Sequence, residues 1–120
     1  MTILVDTSVW IDHLRRANGR LADLLDQGAV VGHPFVVGEL ACGNLRNRPE
    51  ILGLLQALPR APLAEHAEAL DFVDRWRLAG CGLGWIDVHL LASARLADLK
   101  IWSLDKALMS AAGRLGVAVA

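Results

Sequence analysis

The sequence is poor in cysteine and lacks the closely spaced ligands of a zinc site. Its two cysteines, Cys42 and Cys81, lie far apart, and its four histidines show no paired spacing with one another or with the cysteines. Zinc sites gather cysteine and histidine ligands at short spacings. The chain is therefore predicted to carry two reduced thiols, as cytosolic proteins do, and to bind no zinc.

A strong net charge is also missing. Thirteen acidic residues face twelve basic ones, which gives a formal charge of -1. Without an overall basic field, contact with a nucleic acid has to be local or pass through a metal ion. Ten of the twelve basic residues are arginine, whose planar guanidinium suits phosphate and carboxylate groups.

Long apolar runs are absent, although 54% of the residues are hydrophobic. The most apolar region, residues 30–42, is interrupted by glycine, histidine, proline and glutamate, so no membrane span is predicted. No basic segment followed by an apolar stretch opens the chain, and we expect no secretion signal and a cytoplasmic location. At 120 residues, the chain is predicted to form a single domain over residues 1–120.

Short apolar runs alternate with amphipathic stretches along the chain. Strands are predicted over residues 3–5, 29–31, 100–104 and 117–119. Helices are predicted over residues 7–17, 34–45, 51–58, 64–79, 87–97 and 105–115, with a shorter amphipathic turn over 21–28. Residues 47–49 are expected to break the helical stretch, and the glycine-rich segment 80–84 to be a connector. This alternation predicts an α/β fold with a parallel sheet covered on both faces.

Four acids stand in apolar sequence, where an unpaired carboxylate is expensive to bury. Asp6 and Asp105 each follow a predicted strand, whereas Glu39 and Asp87 lie in predicted helices. Open parallel sheets carry their chemistry at the carboxyl ends of the strands, so we expect the four acids to meet there. Clustered carboxylates repel one another, and their hard oxygens select Mg²⁺ or Mn²⁺.

Each of these acids also has an ordinary structural explanation. Asp6, Asp87 and Asp105 suit the position before or at the start of a helix, where a side-chain oxygen caps free backbone N–H groups. Glu39 is able to turn outward on the polar face of its helix. The other nine acids are interpreted as solvated surface.

The acids and their neighbours together resemble a known family. The matching segments are Val5-Asp6-Thr7-Ser8-Val9-Trp10, then Glu39-Leu40, then Asp87-Val88-His89-Leu90-Leu91-Ala92-Ser93-Ala94, and finally Ser103-Leu104-Asp105-Lys106. This pattern is similar to that of PIN-domain nucleases, and most of all to the VapC toxins of bacterial toxin–antitoxin pairs.

The resemblance implies a three-layer α/β/α fold with a short central parallel sheet, and a metal-dependent ribonuclease acting as the toxin of a type II pair. Its four acids correspond to Asp6, Glu39, Asp87 and Asp105, which would hold Mg²⁺ or Mn²⁺, and Ser8 matches a hydroxyl beside the metal site. The implied partners are an RNA substrate, a cognate antitoxin and a second copy of the chain in a homodimer.

Other residues receive weaker expectations. Arginines at four positions are candidates for holding the RNA backbone: Arg15, Arg16, Arg46 and Arg48. Ser103 stands where many family members have threonine, and Met109 near a position that is commonly phenylalanine. Neither is expected to touch the acids.

Three alternatives remain from the sequence. A PIN-like module that binds RNA or protein without cutting would keep the fold but has no reason to tolerate four repelling acids. A response-regulator receiver needs adjacent acids near its start, but Leu4 and Val5 precede Asp6. A haloacid-dehalogenase-type phosphatase needs a second aspartate two residues after the first, where Ser8 stands.

Overall fold

Ile3–Val5 forms the central strand of a three-stranded parallel sheet. The computed structural model describes residues 2–120. The elements follow in the order β1 (Ile3–Val5), α1 (Thr7–Arg16), α2 (Gly19–Asp26), β2 (Val30–Val31), α3 (Pro34–Ala41), α4 (Arg48–Ala57), α5 (His66–Arg75), α6 (Trp85–Ala97), β3 (Lys100–Trp102) and α7 (Lys106–Arg114). The strand order is β2-β1-β3, and Leu4 pairs with Val31 on one side and Ile101 on the other.

Helices cover this short sheet, which confirms the predicted three-layer α/β/α arrangement. α3 packs against both α1 and α4, α5 packs against α6, and α6 and α7 contact β3. All three residues of β1 are buried, as expected for a central strand with helices on both faces. None of the helices among residues 2–120 is long and apolar enough to span a membrane.

α6 is the most deeply buried helix of the domain. Its residues from Val88 to Ala94 are all buried, including the polar His89 and Ser93. This confirms the prediction of a central helix from its apolar sequence. The helix reaches the surface at its two ends, at Trp85 and over residues 95–97.

The prediction of a fourth strand over residues 117–119 is wrong. The segment joins β3 through one parallel bridge, between Ile101 and Ala118, although the Ile101 N–H donates to Val117 and the Val119 N–H donates to Ile101. A similar single bridge joins Gly32 to Arg60 at the other edge. Both segments are too short to form a regular ladder with the sheet edge.

Several helix boundaries also differ from those predicted. The predicted break between helices lies over residues 42–47 instead of 47–49. Residues 48 and 49 begin α4, because Pro49 fits the first helical turn, where its missing N–H has no partner to lose. α3 ends at Ala41, earlier than predicted, and α5 ends at Arg75 ahead of Arg77, whose φ is 53°. α6 begins at Trp85, with Gly84 before it, so Asp87 is the third helical residue.

Two leucine-rich stripes, one formed by Leu21, Leu24 and Leu25 on α2 and the other by Ile51, Leu54, Leu55 and Leu58 along α4 and just after it, belong mainly to the core. Leu21 and Leu55 are buried, and partly buried neighbours pack against the core around them: Leu24, Leu25, Ile51 and Leu58. Leu54 is the exception, because 62% of it is exposed. The stripes therefore leave only a narrow apolar surface on α4 without cover from this chain.

A candidate metal-dependent nuclease site

Asp6 lies at the carboxyl end of the central strand. Its backbone N–H donates to the Trp102 carbonyl at 2.9 Å, which continues the β1–β3 ladder past the last strand residue. Only 7% of Asp6 is exposed, and its side chain caps no N–H group of α1, although it stands before that helix. The capping explanation therefore does not hold for Asp6.

Two serine hydroxyls hold the Asp6 carboxylate. Ser8 Oγ donates to Asp6 Oδ2 at 2.8 Å, and Ser103 Oγ donates to the same oxygen at 2.7 Å. The hydroxyls also accept backbone hydrogen bonds, Ser8 from the Leu104 N–H and Ser103 from the Asp105 N–H. The loop after β3 is thus tied to the loop after β1.

The expectation that Ser103 does not touch the acids is wrong. The residue follows β3, next to β1 in the sheet, so its side chain reaches the oxygen of Asp6 directly. Met109, by contrast, is partly buried against the core. Sequence analysis recorded the hydroxyl at position 103 but had no means of pairing it with position 6.

Asp105 lies beyond this serine and caps α7. Its Oδ1 accepts from the Ala107 N–H at 2.8 Å and from the Leu108 N–H at 3.2 Å. One oxygen of Asp105 therefore serves as the helix cap that the sequence suggested. The side chain is nevertheless exposed, so capping does not remove it from the edge at which Asp6 lies.

Glu39 reaches the same edge from α3. Thr7 Oγ1 donates to Glu39 Oε1 at 2.7 Å, and Thr7 is the residue directly after Asp6. The packing of α1 against α3 makes this contact between residues 32 positions apart. Thr7 was not singled out from the sequence, although its hydroxyl stands beside an acid of the motif.

Asp87 enters the group from the first turn of α6. Its Oδ2 accepts from the Gly84 N–H at 2.9 Å. Burial raises the pKa of the Asp87 carboxyl above its ordinary value, the Gly84 hydrogen bond opposes this, and the negative charges of Asp6, Asp105 and Glu39 raise it further. The other three predicted acids therefore lie close enough to Asp87 to disfavour its ionised form.

One pattern is common to the four carboxylates. In each, one oxygen accepts a hydrogen bond from the protein. No hydrogen-bond donor among residues 2–120 reaches the other oxygen. None of the four forms an ion pair within the described chain, whose one salt bridge joins Arg16 to Asp12. The site therefore combines unneutralised negative charge with free carboxylate oxygens.

The acids do not form a closed metal cage. Among residues 2–120, no three histidine, cysteine, aspartate or glutamate side chains are arranged to hold an ion together. Mg²⁺ typically keeps several waters and binds proteins through one or two carboxylates, so an open group of acids suits it. The hard oxygen donors fit Mg²⁺ or Mn²⁺ and do not fit a thiol- or imidazole-binding metal.

A cleft of about 560 Å³ adjoins this group of acids. It runs between α1 and the loop joining α3 to α4, and it is lined by Glu39, Arg15 and Arg46. The other two candidate arginines are engaged elsewhere. Arg16 pairs with Asp12, and Arg48 donates to the carbonyls of Ala41 and Gly43.

A row of histidines and aromatic rings lies next to the start of α6. His89 contacts Phe35 and Trp85 edge to face, and Phe35 contacts His33. His89 Nδ1 is the one buried side-chain nitrogen or oxygen among residues 2–120 without a hydrogen-bond partner. Burial lowers the pKa of His89, so a neutral imidazole is the stable form in this apolar setting.

Comparisons with known proteins agree with this geometry. A family model described as "PIN domain" matches residues 3–114. The chain is similar to Ribonuclease VapC32 of Mycobacterium tuberculosis strains CDC 1551 / Oshkosh and ATCC 25618 / H37Rv, with 46% identity over 119 residues, which cover 98% of this chain and 96% of each relative. Because the family model and the identity both extend over almost the whole length, this chain belongs to the PIN-domain family, as a VapC-type member.

Proposed function

We propose that this protein is a metal-dependent endoribonuclease and the toxin of a type II toxin–antitoxin pair. The observation that carries the proposal is the group of four acids at one sheet edge, each with one oxygen held by the protein and one oxygen free. The related Mycobacterium tuberculosis proteins bear the name ribonuclease, which supports the same activity here.

The four acids are the residues proposed to hold Mg²⁺ or Mn²⁺. Asp6 and Asp87 would be the main ligands, directly or through water, while Glu39 and Asp105 complete the negative charge around the ion. When bound, such an ion supplies an acidified water and neutralises charge on the phosphate. Without a cation, the ionised acids repel one another, which is the physical reason to expect one.

The chain's own residues position these ligands. Ser8 and Ser103 both donate to Oδ2 of Asp6, and these two hydrogen bonds fix the orientation of the carboxylate. Its other oxygen, Oδ1, stays free to bind an ion. Thr7 orients the Glu39 carboxylate in the same way. Burial and the neighbouring acids raise the pKa of Asp87 in the metal-free protein, and the positive charge of a bound cation would oppose that shift. Ligands held in this way lose little conformational freedom when the ion and the RNA bind.

Arg15 and Arg46 are proposed to hold the RNA backbone. Both line the cleft that contains Glu39, and neither takes part in a salt bridge among residues 2–120. Guanidinium groups bind phosphate in a bidentate manner, and phosphate contacts set the position of a nucleic acid without reading its sequence. Local contact of this kind agrees with the absence of an overall positive charge.

The proposed protein partners are the cognate antitoxin and a second copy of the chain. An apolar groove of about 290 Å³, lined by residues that include Trp10, Leu25 and Leu54, lies between α1, α2 and α4. An amphipathic helix of the antitoxin would cover such a groove. We place the complex in the cytoplasm, where two reduced thiols would be stable.

Cleavage of RNA by the purified protein tests the proposal. A labelled RNA pool should be cut in the presence of Mg²⁺ or Mn²⁺, and cutting should stop on chelation and in the Asp6→Asn variant. In cells, expression should arrest growth, the product of the adjacent gene should relieve the arrest, and Asp6→Asn should be harmless. RNA binding without metal-dependent cutting would instead indicate a non-catalytic PIN-like module.

A further inference from the structure

His33 is a buried histidine whose two ring nitrogens both form hydrogen bonds. Only 1% of it is exposed, and it stands directly before α3. Its Nδ1 accepts from the Phe35 N–H at 3.0 Å, so this nitrogen carries no proton. The proton of the neutral ring therefore lies on Nε2, which donates to Ser93 Oγ at 3.2 Å. One side chain thus caps α3 and joins it to α6.

The bond from His33 to Ser93 is the one hydrogen bond among residues 2–120 that links α3 and its cap to α6. Ser93 is fully buried, as His33 is. Helices that touch only through apolar side chains are able to slide by small amounts, whereas a directional hydrogen bond in the core favours one arrangement. This bond therefore sets the position of α3 along α6.

A second contact shows the direction in which the two helices run. The Phe35 ring packs edge to face on the His89 ring, with centroids 4.6 Å apart. Moving forward along the chain from His33 to Phe35 therefore corresponds to moving back along α6 from Ser93 to His89. α3 and α6 thus pack in opposite directions.

The two acids on these helices lie at matching distances from the His33–Ser93 bond. Glu39 is six residues after His33, and Asp87 is six residues before Ser93. At about 1.5 Å per helical residue, both spans are about 9 Å. Helices that run in opposite directions from this bond therefore bring Glu39 level with Asp87. The negative charge of Glu39 contributes to the raised pKa of Asp87, which supports this proximity.

We propose that His33 is a positioning residue which, through its hydrogen bond to Ser93, sets the spacing between Glu39 and Asp87. The inference rests on the proposed metal-dependent function and names the contact that holds acids from two helices at the spacing of one ion. Such groups have to be held within about 0.5 Å of their working positions. Thr7 orients the Glu39 carboxylate, but it does so from α1 and leaves α3 unfixed against α6.

Two substitutions of His33 separate the roles of its two nitrogens. Asparagine carries an oxygen near the position of Nδ1, so His33→Asn keeps the cap of α3 and loses the bond to Ser93. Glutamine carries an amide nitrogen near the position of Nε2, so His33→Gln keeps the donor to Ser93 and loses the cap. His33→Asn should therefore weaken metal binding. His33→Gln should bind metal nearly as well as the unchanged protein, although it should unfold at a lower temperature.

Mn²⁺ alone is the probe. The electron paramagnetic resonance signal of free Mn²⁺ measures binding at a temperature where every variant is folded, and loss of binding in Asp87→Asn assigns it to the acid group. His33→Asn and Ser93→Ala should each weaken binding by roughly two- to thirtyfold, as expected for packed contacts that couple two positions. The double variant should bind no more weakly than the single ones, because both changes remove the same bond.

RNA cleavage gives a second readout. At a fixed, subsaturating concentration of Mn²⁺, His33→Asn and Ser93→Ala should lower kcat with little change in KM for RNA, because the arginines of the cleft are unchanged. A general loss of stability would produce no such division between kcat and KM.

Val117→Ala is the matched control for lost core packing. Val117 is 4% exposed and lies at the β3 edge of the sheet, whereas α3 follows β2 at the other edge. The substitution removes buried apolar atoms and should lower the unfolding temperature. Mn²⁺ binding should not change.

Each contrary outcome has a distinct meaning. If the unchanged protein binds Mn²⁺ and cuts RNA while His33→Asn and Ser93→Ala bind the ion equally well, the positioning role is overturned and the nuclease stands. The role is also overturned if Val117→Ala weakens binding as much as these variants do, or if His33→Gln loses as much affinity as His33→Asn. If the unchanged protein neither binds Mn²⁺ nor cuts RNA, the proposed function fails and this inference fails with it.

Discussion

Ser103 Oγ donates a hydrogen bond of 2.7 Å to Asp6 Oδ2 across 97 positions of the chain. The same oxygen atom of Ser103 accepts from the Asp105 N–H at 2.9 Å. One hydroxyl therefore couples the first acid of the site to the backbone that carries the last one. Its geometry should matter to both the stability and the activity of the protein.

Removing this hydroxyl should weaken both. Ser103→Ala leaves the Asp105 N–H without a partner and leaves Asp6 Oδ2 with Ser8 as its one remaining donor, which should lower the free energy of unfolding by about 1–3 kcal/mol and slow RNA cleavage. Ser103→Thr keeps the hydroxyl and should retain most of both. Urea unfolding and initial cleavage rates measure the two effects. Ser110→Ala, an exposed serine on α7, is the control. Wild-type values for Ser103→Ala would show that the bond has no importance.

Neutralising an acid should abolish cleavage without unfolding the protein. Asp6→Asn and Asp87→Asn should each reduce metal-dependent RNA cleavage by about a hundredfold or more, because each removes a charged ligand. Asp87→Asn should stabilise the metal-free protein, since the raised pKa of Asp87 means that its ionised form is disfavoured in the fold. Rates and thermal unfolding check both points. Asp98→Asn, at an exposed helix end, should change neither.

Metal binding should stabilise the fold in a pH-dependent manner. Mg²⁺ at a hundred times its dissociation constant should add about 2.7 kcal/mol to the free energy of unfolding. The pKa of Asp87 is raised, so lowering the pH protonates it above the pH at which an ordinary aspartate titrates. The folded metal-free protein gains stability as this proton binds, while the effect of Mg²⁺ fades because proton and ion compete.

Thermal unfolding with and without Mg²⁺ at several pH values measures this competition. NaCl at matched ionic strength controls for screening of the acids by salt. A Mg²⁺ effect of undiminished size in a variant that combines Asp6→Asn with Asp87→Asn would place the ion elsewhere on the protein.

His33 should make the fold sensitive to moderate acid. It is 1% exposed, its Nδ1 accepts from the Phe35 N–H at the start of α3, and burial together with the nearby His89 lowers its pKa to about 4. The unfolded chain binds a proton near pH 6.5, so stability is complete above that value and falls as the pH drops towards 4. Between pH 7 and pH 5 the loss due to His33 should be about 2 kcal/mol.

Urea unfolding at both pH values measures this loss. His33→Asn should remove most of the His33 contribution, because the asparagine oxygen is also able to cap α3 but does not titrate. His66→Asn, at an exposed histidine, should leave the pH dependence in place. An unchanged dependence in His33→Asn would assign the acid sensitivity to another group.

The arginines of the cleft should differ from those engaged elsewhere. Arg15→Ala and Arg46→Ala should weaken RNA binding, and each should reduce the slope of log affinity against log salt by about 0.7, the value for one phosphate contact on a single strand. Arg16→Ala should leave the slope unchanged, because Arg16 pairs with Asp12. Fluorescence anisotropy of labelled RNA in the Asp6→Asn background measures binding without cutting. Equal slopes for all three variants would exclude this cleft as the RNA path.

Local sequence patterns predicted the parts of the fold that depend on local physics. The apolar run before Asp6 forms a strand, and the apolar stretch after Asp87 forms a central helix. Both were predictable because the spacing of apolar residues and the length of each run can be seen in the sequence. Boundaries were less well predicted. α4 begins at residues expected to end the preceding helix, since a proline in a first helical turn and a proline that ends a helix look alike in sequence.

The site was predictable in its residue types but not in its contacts. The four acids were recognisable because carboxylates in apolar sequence are costly to place without a reason, and Ser8 was named because the family resemblance implies a hydroxyl there. The partners Thr7 and Ser103 were not identified, and neither was the division of Asp105 between capping and the acid group. A hydrogen bond between residues 6 and 103 leaves no local pattern, because it depends on which strands are neighbours.

The sequence alone thus determined the alternation of strands and helices, the buried faces and the set of acids, since each follows from the chemistry of neighbouring residues. Only the tertiary structure decided that β1 lies between β2 and β3, which brings the residues after β1 and β3 together. Packing also decided which arginines line the cleft beside Glu39 and which are engaged elsewhere. These features arise from contacts between distant segments, and such contacts form only when the whole chain has folded around one core.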